Sequence, residues 1–203
     1  MDKLNIFQEE KFVPTRTIFL VVLVLVTLFF YKYQSSNPYK KYSTTHFWKQ
    51  ATVTTVQKVP EEALKPGNRN GSVLMWAAMG TPDIAIIQAL VDRGADVNES
   101  DPLYTGTPLS AAAGYGRTPK MITELVRLGG DVNKTVSNDE TPLMIAARYN
   151  HQPGFVEALV AAGAKVDAKS AQGATALDIA IRSKNTTVKQ ALIALENNAS
   201  EPH

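Results

Sequence analysis

The chain contains no cysteine. Disulfides, thiol catalysis and thiolate metal sites are therefore excluded together. The compartment stays open, because a cysteine-free chain tolerates oxidising and reducing surroundings alike. Histidine is scarce, with only His46, His151 and His203 present. None has a second histidine at ligand spacing on one helix face, so each reads as a surface or loop residue. There is no Gly-x-Ser-x-Gly elbow. The lone Gly114-Tyr115-Gly116 follows a helical pattern, not a strand, and reads as a loop between helices and not as a phosphate cradle. A charge excess is also missing: the net charge is +2, too small for a surface that lives on nucleic-acid phosphates. The expectation is a chain that is not an enzyme, holds no cofactor or metal, and takes neither nucleic acid nor a small-molecule substrate.

What the chain does have is a repeated phrase. It reads Leu90-Val91-Asp92-Arg93-Gly94-Ala95-Asp96-Val97-Asn98, then Leu125-Val126-Arg127-Leu128-Gly129-Gly130-Asp131-Val132-Asn133, then Leu159-Val160-Ala161-Ala162-Gly163-Ala164-Lys165-Val166-Asp167. The glycines fall 35 and then 34 residues apart. A second phrase keeps the same beat at Ser72-Val73-Leu74, Thr107-Pro108-Leu109, Thr141-Pro142-Leu143 and Thr175-Ala176-Leu177. Such a period means stacked units that bury their apolar faces on one another. Thr107 and Thr141 occupy N-cap positions, with Pro108 and Pro142 first in their helices. The pairs Ala77-Ala78, Ala112-Ala113 and Ala146-Ala147 allow close helix packing. Aliphatics at helical spacing then predict a second helix per unit: Ile84, Ile87, Leu90 and Val91; Met121, Ile122, Leu125 and Val126; Phe155, Val156, Leu159 and Val160; Val188, Ala191, Leu192 and Leu195. Gly94, Gly129 and Gly163 end those helices, where a left-handed residue is needed. Asp96, Asp131 and Asp167 read as turn-formers.

The N-terminal segment differs in kind. Residues 1–43 hold six Lys/Arg against three acids, whereas the remainder is slightly acidic. Positions 17–31 carry no charge, Gly or Pro, and Arg16 and Lys32 close the run. Extended to Tyr33 it makes roughly 25 Å of helix, short against a hydrocarbon core of about 30 Å. Tyr31, Tyr33 and Tyr39 suit the headgroup layer, and the flanking cations can snorkel. A cleaved signal peptide would need small residues before a cut site, and Tyr31-Lys32-Tyr33-Gln34-Ser35-Ser36 offers no Ala-x-Ala. A buried core helix or strand would show some polar face, and this run shows none. An uncleaved single-pass membrane anchor fits best. Its flanks are nearly balanced, with Lys3, Lys11 and Arg16 before it and Lys32, Lys40 and Lys41 after it. The short polar leader favours an N-terminus in the cytosol and repeats outside, in a bacterial inner membrane with the repeats in the periplasm.

The two linked phrases in register resemble the ankyrin repeat. The resemblance implies an all-α, helix-turn-helix solenoid behind a single N-terminal transmembrane helix. The expected organisation is a polar tail (1–16), the anchor (17–33), a tether (34–44), a degenerate N-terminal capping unit (45–67), four repeats (68–100, 101–135, 136–169 and 170–198) and a short tail (199–203). The pattern departs from the family in Ser72-Val73 for Thr-Pro, in Ala176 for Pro, and in the missing histidine after Thr-Pro-Leu, where Met75, Ser110, Met144 and Asp178 stand. Stacks of this kind bind proteins through a concave face. Mapped by position, that face comprises Met75, Met79, Leu103, Tyr104, Ser110, Tyr115, Met144, Arg148 and Tyr149. Tyr, Met and Arg are types enriched at interfaces, although Met75 and Met144 also suit a core. The resemblance therefore implies a membrane-anchored, non-catalytic module that binds a protein partner, either an enzyme it assists or a toxin it neutralises. A structural or assembly subunit of a membrane complex is the alternative.

Overall fold

The structure, a computed structural model, describes residues 39–65, 72–100 and 106–200. They belong to one compact unit, Tyr39–His203. The expected anchor at 17–33, the 1–16 tail and most of the tether lie outside the described residues. Among the described residues every regular element is helical, and no helix is long and apolar enough to cross a membrane.

Three short helices come first: α1 (Thr45–Lys49), α2 (Val53–Gln57) and α3 (Glu61–Leu64). Four helix pairs follow: α4 (Val73–Gly80) with α5 (Ile84–Asp92), α6 (Pro108–Tyr115) with α7 (Lys120–Arg127), α8 (Pro142–Tyr149) with α9 (Pro153–Ala161), and α10 (Ala176–Arg182) with α11 (Thr186–Ser200). The first helices of each pair stack as an inner row, α1–α4–α6–α8–α10. The second helices stack as an outer row, α2–α5–α7–α9–α11. Each unit thus touches mainly its neighbours, the architecture of a solenoid.

Local chemistry explains each inner helix. The hydroxyls of Ser72, Thr107, Thr141 and Thr175 accept from the amides of Met75, Ser110, Met144 and Asp178, at 3.4, 3.1, 3.4 and 3.3 Å. Each satisfies an amide that the helix itself leaves free. Ser72 therefore keeps the cap where the Thr-Pro pattern is lost. At α10 the box closes from both sides, because the Asp178 carboxylate accepts from the Thr175 amide and hydroxyl, each at 3.0 Å. The Thr175 amide, then its hydroxyl, hold the Asp178 carboxyl below its ordinary range. The alanine pairs 77–78, 112–113 and 146–147 are buried where inner helices meet. Gly114 serves the same close approach, since a Cβ there would stand 2.9 Å from Ile145 Cγ2. The sequence reading of Gly114-Tyr115-Gly116 as a loop is corrected here. Gly114 and Tyr115 are the last turn of α6, and only Gly116 lies beyond it.

Two ladders of asparagine side chains tie the units together. On the turn side, Asn98 Nδ2 donates to Gly129 O (2.8 Å) while its Oδ1 accepts from the Asp131 amide (2.9 Å). Asn133 repeats this with Gly163 O (3.1 Å) and the Lys165 amide (3.0 Å). Asp96 and Asp131 accept from the amides of Asn98 and Asn133, 2.8 and 2.9 Å away, as Asx turns. Asp167 does not continue that series. It occupies the Asn98 and Asn133 place, and Lys165 takes the aspartate's. The preceding glycines Gly94, Gly129 and Gly163 have φ of 91°, 96° and 95°, with open space around a would-be Cβ. Backbone conformation alone, not crowding, selects glycine there.

At the N-terminal end, Trp48 is fully buried and donates its indole N–H to Tyr42 O at 2.7 Å. Tyr42, Phe47 and Trp48 stack edge to face, with centroids 5.1 and 5.0 Å apart. Arg93 at the end of α5 donates to Val56 O of α2. The helices of residues 45–65 are therefore fastened to the first repeat by core packing and by the Arg93 hydrogen bond.

Candidate functional site: the inner-row groove

The exposed side of the inner helices forms a groove of about 560 Å³. Its floor comes from helical spacing. Met75, Trp76 and Met79 of α4, Ser110, Ala111 and Tyr115 of α6, and Ile145 and Tyr149 of α8 all face it. One wall is the turn that follows the second repeat, contributing Val136, Ser137, Asn138 and Glu140. That turn is a tight finger closed by the Val136 amide on Glu140 O (2.9 Å), with Asn138 and Asp139 at φ of 61° and 56°. Asn and Asp tolerate this left-handed geometry better than other side chains.

Tyr115 and Tyr149 occupy equivalent positions in consecutive repeats. Their rings stack at 5.2 Å with 29° between planes, yet they remain 54% and 48% exposed. Two large aromatic side chains held together in solvent are an uncommon use of surface. Burial, then the neighbouring Tyr149 phenol, pushes the Tyr115 hydroxyl above its ordinary range, with Arg148 opposing. At the groove's edge Arg148 pairs with Glu140 and lies 5.9 Å from the Tyr149 ring centroid. The arrangement is apolar and aromatic, with one ion pair and two phenol hydroxyls. It can bind by burial, stacking and hydrogen bonding. Among the described residues no three His, Cys, Asp or Glu side chains converge as metal ligands.

The residues expected on the concave face separate into three groups. Met79, Tyr115 and Tyr149 line the groove, with Met75 and Ser110 as nearly buried parts of its floor. Ser110 is also occupied locally, since its hydroxyl accepts from the Thr107 amide at 2.8 Å. Arg148 sits at the edge through its pair with Glu140. Met144 is not part of the groove: it is 1% exposed and belongs to the hydrophobic core. The helical phase puts position 144 inward and position 145 outward. Leu103 and Tyr104 lie outside the described residues. Sequence reasoning missed Trp76, Ile145 and the 136–140 finger. Helical phase contained the first two, since Ile145 lies four residues before Tyr149 and Trp76 three residues before Met79. The Asn138-Asp139 pair signalled the third.

The comparisons agree with this geometry. The family profile described as ankyrin repeats (3 copies) matches residues 74–170 and 109–201. A search of curated proteins found no match. The repeat phrases, the two-row stack and a profile match over more than half the chain give one conclusion: this chain belongs to the ankyrin-repeat family.

Proposed function

We propose that this chain is a membrane-anchored, non-catalytic module that captures a protein partner in its inner-row groove. The observation that carries this reading is the stacked Tyr115–Tyr149 pair, left half exposed beside Trp76, Met79 and Ile145. Ankyrin stacks are suited to protein binding, and buried aromatic anchors carry most of the energy at such interfaces. The apolar run at 17–33 supports an anchor in the inner membrane, with the repeats in the periplasm. The partner there is an enzyme the module assists or a toxin it neutralises. The alternative, an assembly subunit that works through its anchor, draws on the same run alone.

A Tyr115→Ser/Tyr149→Ser double variant tests the site. Both rings are half exposed, so the fold survives, and circular dichroism is expected to match the parent. Partner affinity is expected to fall by about 30-fold or more, the effect of losing two interface aromatics worth at least about 1 kcal/mol each. Capture of the same proteins at the same strength by parent and variant would remove the groove as the site. Orientation is read separately, by protease digestion of a tag placed after His203 in spheroplasts. Digestion without lysis is the expected result, and protection until lysis would put the repeats in the cytosol.

A further inference from the structure

Counted from the cap residues Ser72, Thr107 and Thr141, three registers align along the inner row: 75, 110 and 144; 76, 111 and 145; 79, 114 and 148. α4 fills them with Met75, Trp76 and Met79, and α8 with Met144, Ile145 and Arg148. α6, which packs between the two, carries Ser110, Ala111 and Gly114 there. A helix with short side chains between two helices with long ones leaves open volume above it. The groove of about 560 Å³ has Ser110 and Ala111 in its lining, beside Met75, Met79 and Ile145.

The lining divides by chemistry. Met75, Met79, Ile145 and the half-exposed rings of Tyr115 and Tyr149 are apolar and polarisable. The finger adds Ser137 and Asn138, exposed side chains that can accept or donate hydrogen bonds. It is held from two sides, since the Ala171 amide donates to Asn138 O at 2.8 Å and Glu140 pairs with Arg148. Glu140 is the one acidic side chain in the lining, and Arg148 neutralises it. A charged anchor of either sign would meet a like charge in that pair. A purely aliphatic anchor would take water from Ser137 and Asn138 without replacing its hydrogen bonds.

We propose that the partner anchors in this groove by inserting one tryptophan or tyrosine side chain. The proposal rests on the groove being the partner site and names what fills it. Tyr149 stacks on Tyr115, yet Tyr115 stays 54% exposed. A third ring extends that stack at about 4.5–7 Å between centroids, the spacing that aromatic pairs favour. The thioethers of Met75 and Met79 suit the same guest, because sulfur packs favourably against ring edges. The guest's indole N–H or phenol O–H then donates to Ser137 or Asn138, so neither end of it is left unmatched. Such side chains also lose little conformational freedom when held, which favours them as anchors over long flexible ones.

The test uses the full chain in a zwitterionic detergent, with its methionine methyls isotope-labelled and followed by NMR. The probes are blocked Gly-Ser-X-Ser-Gly peptides with Trp, Tyr, Leu or Arg at X. The tryptophan and tyrosine peptides are expected to move the Met79 and Met75 signals upfield by ring current. They should bind about two- to tenfold more tightly than the leucine peptide. Met121 and Met144, sealed in the core, should stay in place. Ala111→Ile fills the open volume with the residue type that position 145 carries at the same register, and should abolish the shifts. If Ala111→Ile itself moves Met121 or Met144, Tyr115→Ser gives the reading from a half-exposed position. It should weaken the tryptophan peptide by about two- to tenfold. Tighter binding of the leucine or arginine peptide, no shift with any peptide, or shifts that persist in both variants would overturn the aromatic anchor. The groove is read separately through partner capture. Capture lost in Tyr115→Ser/Tyr149→Ser would keep the groove without this anchor, and unchanged capture would remove both.

Discussion

Trp48→Ala is expected to destabilise the N-terminal end of the stack by about 3–5 kcal/mol, the range for truncating a fully buried aromatic residue. Among the described residues Trp48 heads the largest fully buried side chains. It fills the space between the Tyr42–Phe47 pair and α4, and Gly80 lets the two backbones approach. Alanine would leave a cavity that helix backbones cannot readily close. It would also orphan Tyr42 O, which now accepts the indole N–H at 2.7 Å, a further loss of about 1 kcal/mol. The damage should stay local, because each unit of a solenoid is held mainly by its neighbours. Segment-resolved hydrogen exchange is expected to show α1 and α2 opening while α8 and α9 keep their protection. Trp48→Phe, which keeps most of the packing and loses only the hydrogen bond, should cost markedly less. Uniform loss of protection across all repeats would show that the end is not an independent unit.

Asn185→Ala is expected to cost about 3 kcal/mol at the opposite end. The Asn185 side chain is buried and fully used. Its Nδ2 donates to Asn150 O at 2.7 Å and Ala147 O at 3.2 Å, and its Oδ1 accepts from the Val188 amide at 3.3 Å. Removing it strands two carbonyls and an amide in a buried interface, each worth about 1–3 kcal/mol and not strictly additive. Asn150 makes the equivalent bond to Ala113 O at 3.0 Å. Alanine there is expected to cost less, because one carbonyl is stranded instead of two. The carbonyls belong to the ends of α6 and α8, so the asparagines act as caps supplied by the following unit. A urea titration of Asn185→Ala should show an early transition limited to α10 and α11, with the main transition little changed. A single unshifted transition would mean that water replaces the amide at no cost.

Much of this was legible in the chain. Thr107-Pro108 and Thr141-Pro142 announce a capped helix because the chemistry is local: one hydroxyl meets an amide three residues on. Gly94, Gly129 and Gly163 are legible for the same reason, since a positive φ is a property of one residue. The aliphatic spacing placed Ile122, Leu125, Phe155 and Leu159 in the core, and all are fully buried. Other features resisted. Met144 and Ile145 are adjacent apolar residues, so composition does not say which is buried; Met144 lies in the core and Ile145 faces the groove. Asp167 falls in the Asn98 and Asn133 place of the repeated phrase, two residues after Lys165, so register alone separates it from Asp96 and Asp131. Asn150 and Asn185 carry no local signal of their role, because their partners, Ala113 and Ala147, are 37 and 38 residues away.

The sequence by itself determined that this protein is a stack of ankyrin repeats and placed aliphatic residues of the second helices in its core. Those properties depend on contacts within one repeat, and a period near 34 states them three times over. The tertiary structure decided the rest: the stacked pair of Tyr115 and Tyr149, the finger that walls their groove, and the asparagines that cap a neighbour's helix. Each of these joins residues from different units or from separate turns of chain. Their meeting depends on the translation and rotation between one repeat and the next, a quantity that no single repeat's sequence encodes.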